Sequence, residues 1–214
     1  MKKILEKAFY TSLNMLSWLT SLIIRMQVFD VLKLYINRTH WYAIKRQFAS
    51  VGPGSYIASP FYVKNPHAIS IGLNFAAQAD FTIEAIEQYG DDKFEPQVTI
   101  GNNVSFYHSC HIGCLNRIDI GDSVLFGSRV YITDHFHGNT TPEDLARPPL
   151  DRKLFSKGPV VIKNNVWVGE GVAIMPGVTI GENAIIGANS VVTKNIPDNA
   201  VAAGVPAKII KLLK

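Results

Sequence analysis

The chain has 214 residues, 47% hydrophobic and only 18% charged, which excludes intrinsic disorder and provides for one sizeable domain, with or without an appendage. Its net charge of +4 is uneven: residues 1–46 hold eight basic and two acidic side chains, net +6, while the other 168 residues hold 13 and 15, net −2. That excludes a nucleic-acid-binding body, because no basic stripe with interleaved aromatics occurs beyond the N-terminus.

Residues 4–48 read as helical, rich in Leu, Ile, Met, Lys and aromatics, with no glycine or proline before Gly52-Pro53. Within them Ala8 to Ile24 is uncharged over 17 residues, at the lower edge of what spans a bilayer, but Thr11, Ser12, Asn14, Ser17, Thr20 and Ser21 interrupt it. Three readings stand open: a hairpin packing its Leu/Ile face on the main domain, a basic amphipathic anchor on anionic inner-leaflet lipid, or a span. No small-residue cleavage site follows, so the segment does not read as a signal peptide. The expected location is the cytoplasm, with the inner face of the cytoplasmic membrane as the second place for the N-terminal region.

From residue 51 the pattern changes, giving a division into 1–50 and 51–214. At six-residue steps, positions 162, 168, 174, 180, 186 and 192 read Ile, Val, Ile, Ile, Ile, Val; four residues after each come Val166, Val172, Val178, Ala184, Ser190 and Ile196. The same beat runs through IGNNVS (100–105), FYHSCH (106–111) and IGCLNR (112–117). It resumes after a two-residue slip at IGDSVL (120–125) and FGSRVY (126–131), with a weaker trace over 69–83. This is a hexapeptide repeat. Each unit gives one short strand and one turn, with the aliphatic residue and the residue four on pointing inward, and Gly, Asn or Asp accepting the turn geometry. Three units make one triangular coil.

Two segments break the beat. EQYGDDKF (87–94) reads as a polar loop, and the proline-rich stretch 133–159 opens with TDHFHGN between two well-formed strands. An aperiodic excursion of that length is characteristic of a segment that binds something. Cys110 and Cys114 lie too close and too few for a disulfide framework or a zinc site, and read as reduced core thiols.

The run VVIKNNVWVGEGVAIMPGVTIGENAIIGANSVVTKNIPDNAVAAGVPAKII (160–210) resembles the hexapeptide-repeat acyltransferases, in particular the maltose and galactoside O-acetyltransferases and those of capsule and O-antigen synthesis. The resemblance covers about residues 50–210. It implies a mainly β fold, a left-handed parallel β-helix with a short C-terminal helix, a homotrimer, and acetyl-CoA as co-substrate with no permanently bound cofactor or metal. The implied reaction is O-acetylation of a sugar in a surface polysaccharide, free or lipid-linked.

Transfer from a thioester to a hydroxyl needs a base, an oxyanion donor and alignment of both substrates. By resemblance the base is His135, at a strand end where the excursion begins; a histidine titrates near neutrality and suits the task. His137 joins Gln78 and Glu84 on the acceptor side, where Gln78 replaces the asparagine usual in the maltose and galactoside enzymes. Asp134 and Asp151 are both candidates to orient the imidazole. The oxyanion donor falls on the backbone at Gly169-Glu170, after Trp167, where Glu170 replaces a frequent serine. Donor contacts carry over to Trp167, Ala188, Thr193, Lys194, Lys208 and Lys211, the last two with lysine in place of arginine and hence without the bidentate fork. His108 and His111 are expected to face outward, on the surface or between subunits. Rival readings are N-acetylation of an amino sugar or antibiotic, a γ-carbonic-anhydrase-like metalloenzyme built on the histidines, and a non-catalytic scaffold.

Overall fold

A beat of six residues per strand and turn stacks each strand on the one a coil earlier, so the inward residues form ladders. The computed structural model describes residues 2–23 and 26–213. Among them, a parallel β-helix has three faces. The first runs through Ser50–Val51, Ile69–Ile71, Gln97–Ile100, Arg117–Ile120, Val160–Ile162 and Thr179–Ile180. The second runs through Tyr56–Ile57, Ala76–Ala77, Ser105–Phe106, Leu125–Phe126, Trp167–Val168, Ile185–Ile186 and Ala200–Ala203. The third runs through Phe61–Lys64, Phe81–Ala85, His111–Cys114, Tyr131–Thr133, Ala173–Ile174 and Val191–Val192.

All twelve inward positions read from the 160–196 beat are buried. Each large aliphatic among them contributes roughly 1.5–3 kcal/mol by leaving water. Ser190, the polar member, donates to Gly187 O at 2.6 Å and accepts from Gly204 N at 3.0 Å, so its burial leaves nothing unpaired. Earlier coils fill the axis with aromatics instead: Phe106 and Phe126 stack at 4.0 Å, with Phe75 and Phe81 against Phe106. At one corner Asn74, Asn103, Ser123, Asn165, Asn183 and Asn199 all take left-handed φ between 54° and 58°. Short polar side chains tolerate that region, and successive asparagines bond one another, as Asn183 Nδ2 does to Asn199 Oδ1 at 2.9 Å.

The C-terminus departs from expectation. Lys208–Leu212 is not a helix but a strand, antiparallel to Ala200–Ala203. The last coil leaves a row of backbone donors and acceptors at the open end of the second face. Pairing with that row outweighs the helix propensity of Lys and Leu.

Both breaks in the beat project from the coil. Gln88–Tyr89 and Asp92–Lys93 form a hairpin. After Thr133, Phe136–His137 pairs with Leu154–Phe155 and encloses a one-turn helix, Pro142–Leu145. The two excursions clasp each other: Tyr89 OH donates to Leu150 O at 2.8 Å, and Lys153 Nζ lies 3.0 Å from Asp92 Oδ1.

The chain divides into Met1–His40 and Trp41–Lys214. The second unit thus takes in Trp41, which is buried, edge-on to Phe48 and Phe61, with its indole N–H donating to Ser55 O at 2.9 Å. Helix α1 spans Lys2–Ile23 and α2 spans Met26–Ile44. Ile24, which closes the uncharged run, and Arg25 lie outside the described residues. Among the described residues, no helix is long and apolar enough to cross a membrane.

Candidate active site

The third face ends at Thr133, and Asp134 fixes where the chain leaves the coil. Its side chain is fully buried, and three backbone N–H groups of the preceding coil converge on its carboxylate: Leu115 at 2.7 Å on Oδ1, and Asn116 at 2.7 Å and Arg117 at 2.8 Å on Oδ2. They replace the water that the carboxylate gives up. Oδ1 also lies 3.2 Å from His135 Nδ1, and Thr133 Oγ1 lies 3.1 Å from the same nitrogen. With Nδ1–H directed at Asp134, the lone pair resides on Nε2, which has no partner among the described residues. The His135 side chain is only 9% exposed. Of the two carboxylates left open by the sequence, Asp134 is the one beside the ring. Asp151 is exposed in the 3-10 turn Pro149–Asp151 and lines a separate cavity with Arg147 and Lys153.

His135 opens into a cavity of about 240 Å³ that Glu84 and His137 also line. His111 is there too, its Nε2 3.1 Å from Glu84 Oε2 and its ring edge-on to Tyr131 at 5.4 Å. His111 thus faces outward from the coil, 40% exposed, and in addition lines this cavity. The register pairs His111 with Thr82 and Gly113 with Glu84. Gly113 forms the floor: a Cβ there would stand 3.3 Å from His135 Cε1 and 3.9 Å from His111 Nε2. Tyr89, which the sequence did not single out, lies with its OH 3.2 Å from His137 Nδ1. Gln78 is not with this group; it is exposed at the corner after Ala76–Ala77 and lines neither this cavity nor the next. Among the described residues, no three His, Cys, Asp or Glu side chains converge as metal ligands.

Trp167, Gly169, Glu170 and Ala188 do come together, in a groove of about 430 Å³ on the second face. Gly127, Gly169 and Gly187 stack along it, and close packing requires them: a Cβ on Gly169 would sit 2.6 Å from Ala188 N. Gly169 N–H is committed to Ile186 O at 2.8 Å, whereas Glu170 N–H has no acceptor among the described residues. The Glu170 carboxylate turns to Arg129 at 2.6 Å, both largely exposed. Lys208 pairs with Ala203, next in the column after Gly187, and Lys211 with Val201, in line with Ile185 and Trp167. Both lysines therefore sit at the end of the face that carries the groove. Thr193 and Lys194 are elsewhere, exposed at the corner after Val191–Val192 on the third face. The groove and the His135 cavity share no lining residue.

Neither thiol is poised for chemistry. Burial pushes Cys110 up to about 11. Burial first, and the Asp134 charge second, raise Cys114 well above the ordinary thiol range.

The coil, its glycine column and the histidine at the mouth of the excursion define a class. The chain belongs to the hexapeptide-repeat transferases: residues 159–194 match the family model described as bacterial transferase hexapeptide (six repeats), and the fold is a left-handed parallel β-helix. The protein is an acyltransferase. It is 37% identical over 158 residues to WbbJ of Escherichia coli, named for lipopolysaccharide biosynthesis O-acetyl transfer, covering 72% of this chain and 77% of that one. Among solved structures it is similar to a variant of AntD, an N-acyltransferase from Bacillus cereus in complex with dTDP-4-amino-4,6-dideoxyglucose and coenzyme A. That likeness has a TM-score of 0.66 and 26% identity over 81% of this chain and 88% of that one. A galactoside acetyltransferase in complex with coenzyme A gives a TM-score of 0.51 and 32% identity, over 81% and 69%.

Proposed function

We propose that the protein is an acetyl-CoA-dependent O-acetyltransferase acting on a sugar of a surface polysaccharide, by direct transfer. The observation that carries this is the buried Asp134 holding Nδ1 of His135, which leaves Nε2 as a base at the floor of an acceptor-sized cavity. The acceptor hydroxyl gives its proton to His135 Nε2 as its oxygen bonds to the thioester carbonyl carbon. Glu170 N–H donates to the oxyanion. The C–S bond then breaks and the coenzyme A thiolate takes the proton back from the imidazolium. Glu84, His111 and His137 hold the sugar, and Tyr89 keeps His137 in place.

The donor lies along the glycine column past Trp167 and Ala188, with its phosphates towards Lys208 and Lys211. Because base and groove share no residue in one chain, the site forms between subunits of a homotrimer, where a second copy brings its own Thr193 and Lys194 to the donor. The relatives that act on lipopolysaccharide and on galactosides support a sugar hydroxyl as acceptor. The likeness to an N-acyltransferase holding an amino-sugar nucleotide supports a second reading, an amine acceptor in the same cavity.

The test is His135→Ala: turnover of acetyl-CoA with a glycan acceptor falls about 10²–10⁴-fold while coenzyme A binding by calorimetry is retained. Near-normal turnover refutes the assignment. Running the same assay with hydroxyl and amino acceptors in parallel decides between the two readings.

A further inference from the structure

We infer that the N-terminal helical unit is a docking element for an anionic membrane surface. This rests on the helices themselves and is independent of the reaction proposed above. No described side chain between residues 3 and 40 is buried. The large apolar ones are exposed from 44% at Leu19 to 69% at Tyr35. Two helices of 22 and 19 residues, with no buried side chain among those described up to residue 40, are marginal in water and need a partner that covers their apolar sides.

Two features identify that partner. The first is the pattern. In α1, Phe9, Leu13, Met15, Leu16 and Leu19 fall on one side at helical spacing; Lys3, Lys7, Asn14, Ser17 and Ser21 fall on the other, with Tyr10 among them and Trp18 at its edge. In α2 Asp30, Lys33 and Asn37 form a narrow polar stripe, with Arg38 and Thr39 outside it. An apolar side set against a lysine-bearing side lies in the plane of a lipid interface, where Tyr10, Trp18 and Tyr35 are also suited. The hydroxyls that interrupt α1 do not oppose this. Thr11 donates to Lys7 O at 2.8 Å, Ser17 to Leu13 O at 2.8 Å, Thr20 to Leu16 O at 2.9 Å and Ser21 to Trp18 O at 2.6 Å, so those donors are satisfied within the helix. The second feature is charge. Residues 1–40 hold six basic and two acidic side chains, net +4, and the rest of the chain 15 of each, net 0, so the net attraction to lipid phosphate resides in the unit that exposes the apolar sides. With no helix long and apolar enough to cross among the described residues, the unit lies on the surface.

Flotation of the full chain with phosphatidylcholine vesicles, with and without phosphatidylglycerol, tests this. Binding is expected only with phosphatidylglycerol and weakens with salt. Neutralising Lys3, Lys7 and Lys33 to Gln lowers it about 10²-fold, from roughly fivefold per charge. Phe9→Ser with Leu13→Ser and Leu16→Ser abolishes it, while the circular dichroism of the β-helix and the mass by light scattering stay unchanged. No association with phosphatidylglycerol vesicles overturns the inference. So does a serine variant that floats normally, and so does one whose oligomeric mass falls, which would show that the apolar sides face other copies of the chain.

Discussion

Replacing Asp134 with Asn separates the two tasks of that carboxylate. In the native site Oδ1 faces Leu115 N–H and His135 Nδ1, and Oδ2 faces Asn116 N–H and Arg117 N–H. An amide nitrogen in the place of Oδ2 would strand two buried donors; in the place of Oδ1 it strands only one. The second arrangement wins, and leaving Leu115 N–H unsatisfied costs about 1–3 kcal/mol of stability. The new amide then donates to His135 Nδ1, so the ring proton moves to Nε2 and the lone pair that accepts the substrate proton is lost. Turnover should fall about 10²–10⁴-fold, comparable to loss of the histidine itself. Urea denaturation measures the first effect, and steady-state turnover beside calorimetric coenzyme A binding measures the second. A folded Asp134→Asn protein with near-normal turnover would refute the assignment of Asp134 as the positioning residue.

Glu170→Ala should leave turnover almost unchanged, because among the described residues the side chain pairs only with exposed Arg129, while Glu170→Pro removes the N–H and should cost about 10²–10³-fold in kcat. The double variant Lys208→Ala, Lys211→Ala should raise KM for acetyl-CoA about fivefold at low salt and little at high salt, as expected of exposed charges; KM measured across salt concentrations checks it. Cys110 supplies a pH signature. Its thiol is held up to about 11 in the folded chain against 9.0 for the free group, so its contribution is fully present below pH 9 and is lost as pH rises towards 11. The stability difference between the native protein and Cys110→Ala should therefore shrink by about 2–3 kcal/mol over that range, read by denaturant melts at each pH.

The β-helix was legible because its determinant is local and repeated: an inward aliphatic every six residues, from Ile162 to Val192, is set by the turn geometry of each unit and needs no distant partner. The place of His135 was legible for a related reason, since it stands where the beat stops, whereas its role as base is implied by the family resemblance. What the sequence left open depends on contacts between coils. Asp134 and Asp151 are equivalent on paper, and only stacking places Leu115, Asn116 and Arg117 N–H around the first. His111 meets Glu84 27 residues back because the 87–94 hairpin is extruded and the register closes without it. Lys208–Leu212 carries a helical composition, yet the unpaired end of the second face supplies backbone partners, and a tertiary hydrogen-bond row outweighs a few tenths of a kcal/mol per residue of helix propensity. Periodicity along the chain thus determined the coil. The side chains that share a cavity were decided by register across it, which depends on the exact length of every loop between one coil and the next.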